Sequence, residues 1–235
     1  MKRNDLALPY AKHKNKKGVK KLTRPDNINI LCETDIHYVN AVGDGMHYSM
    51  NIKDCFSRKW ISSEFSKTCT AKDCTKSVEN AYMIRFADGN HHDLILRTDN
   101  GPKYVSETFK NTVKILGIRP EYIQKQTPED NGEIESFHNS LKTNYIWPND
   151  LETFEDAKNL LEYAFYNYNT VRPDSFIEYL PLDEFERRLC QKDDFMDKFL
   201  EERKRKEEKR MKNRIERKRR LMENVSLEDG ISVQN

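Results

Sequence analysis

The order of elements in this 235-residue chain predicts an α/β fold, a mixed five-stranded sheet flanked by helices, with a basic N-terminal arm and a long charged C-terminal helix. Two observations carry that reading. Three strand-like runs come first and are followed by alternating helix and strand patterns, as in a meander joined to βαβ units. The charge is also segregated. Residues 1–24 carry nine Lys/Arg against one acid, and residues 198–220 carry thirteen against five, a formal +8 each, while the last fifteen residues carry −3. Against a whole-chain charge of +2, residues 25–197 are left at −11. An acidic body with two basic ends points to a polyanionic partner held by the ends; the plain alternative is a pair of solubilising tails.

Taken in order, residues 1–27 are Lys-rich and end beyond Pro25, an arm without a fold of its own. "INILCETDIHYV" (28–39), "HYSMNIKDC" (47–55) and "KWISSEFS" (59–66) are rich in β-branched and aromatic residues, and the short link between the last two favours an antiparallel hairpin. Thr70 caps a helix over 70–86, with Cys74, Val78, Ala81 and Tyr82 at amphipathic spacing. A fourth strand covers 93–99. Ser106 caps the next helix, which carries Phe109, Val113 and Leu116 and is closed by Gly117. A short strand is expected over 119–124. After the breaker cluster of Pro128 and Asp130-Asn131-Gly132, helices are expected over 132–146 and 153–170. Beyond 187, interspersed Glu and Lys/Arg without Pro predict a long exposed helix, poor in the apolar a/d positions of a coiled coil.

Five cysteines without a C-x-x-C pair, and no signal peptide, fit free thiols in a reducing compartment. The expected location is therefore cytoplasmic, associated with the nucleoid. His91-His92 has no second pair at zinc-finger spacing and reads as a loop. No apolar run approaches the ~20 residues of a membrane span.

One stretch, "LILRTDNGPKYVSETF" (94–109), is unusual: a strand apolar enough for a core ends by delivering Asp99. Asp35 sits in the middle of the first strand. A crossover after the meander would lay strand four beside strand one and make the two aspartates neighbours. Paired carboxylates repel unless a cation lies between them, and an all-oxygen cluster suits Mg²⁺ or Mn²⁺. The 132–146 helix offers a third acid. Glu135, His138, Asn139 and Lys142 fall on one face of it, expected to be exposed, beside an apolar stripe of Ile134, Phe137 and Leu141.

Asp99 and Glu135 enclose thirty-five residues, and this spacing, with several ordered motifs, resembles the retroviral integrases and the insertion-sequence transposases. "TDIHYV" resembles the family's first-aspartate strand, and "DCFSRKWISSEFSKTCTAKDCTKSVENAY" its hairpin and first helix. "RTDNGPKYVSETF" is similar to the second-aspartate segment, "PEDNGEIESFHNSLK" to the glutamate turn and helix of the transposase branch. "YNTVRPDSFIEYLPLDEFE" resembles the terminal helix and its Arg-Pro sequel. The resemblance implies a ribonuclease H-like catalytic core over 28–187 and a charged, mostly helical tail over 188–235. It implies a DNA transposase that cleaves and joins phosphodiester bonds, with Asp35, Asp99 and Glu135 holding two Mg²⁺ or Mn²⁺ ions. Glu33, which shares the face of Asp35, is left out of the site on the family pattern alone, as is Asp54. Lys142 is implied to contact DNA phosphate. Asn139 and Arg172 are the further DNA-contact candidates, with a solvated role open for Asn139 and a bracing role for Arg172.

Expected partners are double-stranded DNA, both element ends and target, and further copies of the chain assembled on it. The chain departs from the family pattern in two places. Only a basic stretch of about 24 residues stands where relatives carry a helix-turn-helix or zinc-binding region, so a separate helix-turn-helix subunit is an expected partner. Asp174 stands where many relatives have His. The alternative reading is a catalytically silent, truncated DNA-binding relic or accessory protein. A nuclease for RNA–DNA hybrids would share the fold and metals, and the 35-residue spacing favours the transposase branch.

Overall fold

The structure, a computed structural model, describes residues 25–87, 93–123, 132–191 and 194–231. The basic arm before residue 25, His91-His92 and the Pro128-to-Asn131 breaker lie outside the described residues. Strands β1 (Leu31–Ala41), β2 (Gly45–Asp54) and β3 (Trp60–Ser66) form the meander. Helix α1 (Ala71–Arg85), β4 (Ile95–Thr98), α2 (Glu107–Ile115) and β5 (Arg119–Tyr122) follow. The sheet order is β3-β2-β1-β4-β5, antiparallel within the meander and parallel from β1 through β4 to β5. Helix α3 (Gly132–Leu141), α4 (Phe154–Tyr166), α5 (Leu182–Leu189) and α6 (Phe195–Ile231) complete the chain.

Local chemistry sets these boundaries. Gly45, at φ 81°, makes the β1–β2 turn. Asp54 ends β2 with a buried carboxylate that accepts the backbone N–H groups of Asn29, Phe56 and Ser57, so it is a turn builder. Thr70 and Asp73 form a capping box on α1, and Ser106 caps α2. β4 is shorter than the 93–99 expected: Asp93 has φ 45°, which no strand accommodates, and Asp99 has left the ladder. The expected 132–146 helix is α only to Leu141 and then widens into a π turn, Lys142–Ile146, in which Trp147 N–H bonds the Lys142 carbonyl at 2.8 Å. α4 ends the same way at Asn167–Val171. The two π turns meet through the Tyr145 hydroxyl, which donates to Asn167 Oδ1 at 2.8 Å.

Two apolar layers sandwich the sheet. On one side Cys32, Met50, Ile52 and Leu96 pack with Val78 of α1 and Phe109 and Val113 of α2. On the other, Val39, Ala41 and Trp60 pack with Ile134, Phe137 and Leu141 of α3 and Leu161 and Ala164 of α4. α6 starts on this second layer, where Phe199 is buried among Phe56, Phe185 and Phe195, and its residues 204–220 are exposed. The long charged helix read from the sequence is α6, and its first turn is core rather than surface. Among the described residues, no helix is long and apolar enough to cross a membrane.

Candidate active site

β1 and β4 pair in parallel with Leu31 beside Ile95, Cys32 beside Leu96 and Glu33 beside Arg97. Side chains alternate between faces, so Glu33 and Arg97 point away from the Cys32–Leu96 layer and towards α3. Two residues further on, alternation carries Asp35 to that same side, and Asp99, just past the end of β4, lies near enough to raise the Asp35 carboxyl. The strand that runs apolar into an acid is therefore one face of β4 packing under α2 while the other supplies Arg97 and the chain runs on into Asp99.

Glu33 and Arg97 belong to a rung of alternating charge across four strands. Lys53 of β2 lies beside Glu33, Glu33 beside Arg97, and Arg97 beside Glu121 of β5. Arg97 pairs with Glu33 and with Glu121 at 2.9 Å each. The Lys53 side chain is fully buried, its ammonium 3.7 Å from Glu133 of α3. All four rung residues are buried. Burial raises the Glu33 carboxyl above its usual range, and Lys53 and Arg97 pull it back. Glu33 is thus occupied by a structural ion pair, a physical reason for its exclusion that the family pattern alone did not supply.

Above this rung stand the three acids. Asp99 follows β4 in a loop anchored by Asn100, whose amide donates to the Ile123 carbonyl. The Gly101 N–H donates to Asp99 Oδ1 at 2.8 Å, and a Cβ on Gly101 would stand 2.8 Å from that same oxygen. Only glycine lets the backbone close on the carboxylate in this way. Asp35 Oδ1 accepts the Ile36 N–H at 2.8 Å, and Oδ2 lies 3.6 Å from His138 Nδ1. Glu135 is exposed in the first turn of α3, which is fastened to the core by Ile134, Phe137 and Leu141. Burial, followed by repulsion from Asp99, Glu135 and Glu33, pushes the Asp35 carboxyl up to about 6, against one stabilising N–H from Ile36. Asp35 therefore feels both other acids.

The other residues of the expected α3 face separate. Asn139 is exposed and Lys142 half-buried, as a solvent-facing edge requires. His138 is buried, a correction to the exposed face expected: its ring lies 4.8 Å from that of His37 and against Phe137, under β1 and β2. The Lys142 ammonium adds to burial in holding His37 down at about 4, and likewise depresses His138. Arg172 sits where the second π turn ends. Its guanidinium covers the Tyr168 ring at 4.9 Å and pairs with Asp174 at 3.7 Å, the bracing arrangement.

A second acidic group lies close by. Ligand atoms of Glu33, Cys55 and Glu133 all lie within 4.8 Å of one another, the one such group of three among the described residues. Lys53 and Arg97 already supply cations there, and burial keeps the Cys55 thiol protonated by raising its pKa. Asp35, Asp99 and Glu135 are more widely spaced than this, and no Lys or Arg among the described residues pairs with them. Sequence reasoning missed the rung and His138. The available signal was Arg97 inside an apolar strand, since a buried guanidinium demands carboxylate partners.

Comparison with known proteins bears on the family and the fold. Models of the integrase core domain match residues 25–128 and 116–181. The transposase for insertion sequence element IS904 of Lactococcus lactis subsp. lactis is 30% identical over 192 residues, which cover 75% of this chain and 72% of that protein. Transposase InsD for insertion element IS2D of Escherichia coli is 36% identical over 98 residues, covering 40% of this chain and only 31% of its own length. In fold, a chain of the simian T-cell lymphotropic virus intasome superposes with a TM-score of 0.55 at 23% identity, over 66% of this chain and 53% of that one. The catalytic core domain of BIV integrase gives 0.51 at 21%, over 69% and 99%. These likenesses make the fold ribonuclease H-like, and the chain belongs to the insertion-sequence transposases, as a DNA transposase catalytic core of the integrase type.

Proposed function

We propose that Asp35, Asp99 and Glu135 form a two-metal site for phosphodiester cleavage and DNA strand transfer. The observation that carries the reading is the convergence of the three acids: Asp99 and Glu135 both lie close enough to raise the Asp35 carboxyl. A carboxylate pushed up to about 6 by burial and then by its acidic neighbours binds a divalent cation in place of a proton. The donors are all oxygen, which fits Mg²⁺ or Mn²⁺. Bound there, two ions supply activation of a water or DNA 3′-hydroxyl and charge neutralisation at the leaving oxygen.

The chain's own groups position rather than react. Gly101 N–H and Ile36 N–H fix one oxygen of Asp99 and Asp35, leaving the others for the ions. Lys142 and Asn139, on the solvent edge of α3 beside Glu135, contact the phosphate chain of the DNA. The Tyr168 and Asp174 partners of Arg172 favour bracing over DNA contact. Double-stranded DNA is the substrate, held also by α6. On the face that docks α6 through Phe195 and Phe199, Arg203 covers the Phe56 and Phe176 rings and Lys206 pairs with Glu178, and the stripe continues as Arg210, Arg214 and Arg217, spaced by four and three residues. Such a stripe contacts phosphates without reading sequence, and its affinity falls with salt. End recognition belongs to a separate subunit or segment, and copies of the chain assemble on paired ends.

The test is incubation of the purified chain with duplex DNA bearing the element's own ends, in Mg²⁺ or Mn²⁺, in EDTA, and with Asp99→Asn. Nicking and joining that require metal and vanish in the variant are expected. Activity retained by Asp99→Asn overturns the assignment.

A further inference from the structure

His138 is buried within reach of an acid, and its surroundings dictate which ring nitrogen carries the proton. The chain of contacts starts in β2. Asn51 Nδ2 approaches the Ser49 carbonyl at 3.3 Å, and Asn51 Oδ1 accepts the Ser49 hydroxyl at 2.8 Å. A carbonyl only accepts, so the amide orientation is fixed with its NH₂ outward from the sheet. The second hydrogen of that NH₂ points at His138 Nε2, 3.2 Å away. Nε2 must then be the acceptor. The ring is the neutral Nδ1–H tautomer, since a cation or the Nε2–H form would set two donors against each other. Nδ1 faces Asp35 Oδ2 at 3.6 Å.

We propose that His138 is a positioning residue for Asp35, locked by Asn51 into the tautomer whose Nδ1–H orients the Asp35 carboxylate toward Asp99 and Glu135. At 3.6 Å the contact is longer than a hydrogen bond, and a cation held by Asp35 would have to be accompanied by its closing. The two oxygens of Asp35 are then aimed from opposite ends, Oδ1 by Ile36 N–H and Oδ2 by His138. The arrangement mirrors the outer-shell partners that orient metal-binding side chains elsewhere, whose loss costs about 10–100-fold in metal affinity. It rests on the reading of Asp35 as a metal-holding residue.

Two measurements on the full chain test it. In metal-free protein, ¹⁵N NMR of the His138 ring should show Nδ1 protonated and Nε2 bare, and Asn51→Leu should mix the tautomers. In calorimetric titration with Mn²⁺, His138→Leu should bind about 10–100-fold more weakly, with Asn51→Leu intermediate. His138→Asn, which keeps a donor, should recover most of the loss, a rescue that mere filling of the space would not give. Circular dichroism identifies any variant that fails to fold. A wild-type ring protonated at Nε2, or unchanged Mn²⁺ binding by folded His138→Leu, overturns the proposal. Wild-type protein that binds no Mn²⁺ instead sinks the metal reading of Asp35, and the ring tautomer still reports separately on the Asn51 lock.

Discussion

On the face covered by α1 and α2, strands β1, β2 and β4 contribute Cys32, Met50, Ile52 and Leu96 to an apolar layer. On the face beneath α3, the intervening residues of the same strands are Glu33, Asp35, Asn51, Lys53 and Arg97. The first face is held by area removed from water, at about 1.5–3 kcal/mol for each large side chain. The second is held by pairing: a charged rung of Lys53, Glu33, Arg97 and Glu121 across four strands, and one step above it acids that no Lys or Arg among the described residues pairs with. The difference teaches that the three acids, unlike Glu33, Arg97 and Glu121 of the rung, have no Lys or Arg partner among the described residues. On the proposed reading, that exception is where the chemistry belongs.

The comparison breaks most severely at two adjacent residues that point opposite ways. Arg97→Met leaves Glu33 and Glu121 buried and uncompensated and should lower unfolding free energy by about 3–5 kcal/mol in urea titration. Leu96→Ala, on the apolar face, should cost about 2–5 kcal/mol through its cavity. Mn²⁺ binding separates the two: it should change in Arg97→Met and stay at the wild-type value in folded Leu96→Ala.

A smaller effect follows from pH. The Asp35 carboxyl titrates at about 6 in the folded chain and near 3.9 when unfolded, so the folded state holds the extra proton between those values. Its contribution is fully present below about pH 4 and is lost as pH rises through 6, by at most about 3 kcal/mol. Thermal melts across this range should therefore show a decline that Asp35→Asn flattens. Mg²⁺ should raise the melting temperature more at pH 7.5 than at pH 5.

The smallest change to the fold sharpens the geometry of the site alone. Gly101→Ala places a methyl against Asp99 Oδ1 on an exposed loop, so stability should move little. Displacement of Asp99 by a fraction of an ångström should still reduce DNA joining, by up to about 100-fold in a rate assay.

Much of this was legible beforehand because local signals carry it. Thr70 and Ser106 sit where caps must, and the strand order follows from a meander joined to crossovers. The acids could be proposed because Asp35, Asp99 and Glu135 occur together in these settings, where a lone Asp at a strand end would be an ordinary turn former. The charged rung was not legible. Alternation says that Glu33 and Arg97 each share a face with an aspartate, but their pairing depends on the β1–β4 register, which only the folded sheet fixes. The π turns escaped for a similar reason: the helical period of 132–146 runs through Lys142 unchanged, and the widening answers to packing at Tyr145 and Asn167. His138 read as exposed because its spacing matches Glu135 and Lys142, whereas the helix is rolled so that its ring enters the layer beneath.

The central claim is that the unneutralised acids above the rung, and not the compensated group within it, hold the metal. Anomalous diffraction from crystals of the full chain soaked in Mn²⁺ tests this most directly. The account predicts two peaks among the carboxylates of Asp35, Asp99 and Glu135. A peak at Glu33, Cys55 and Glu133 instead, with none at the three acids, would contradict it.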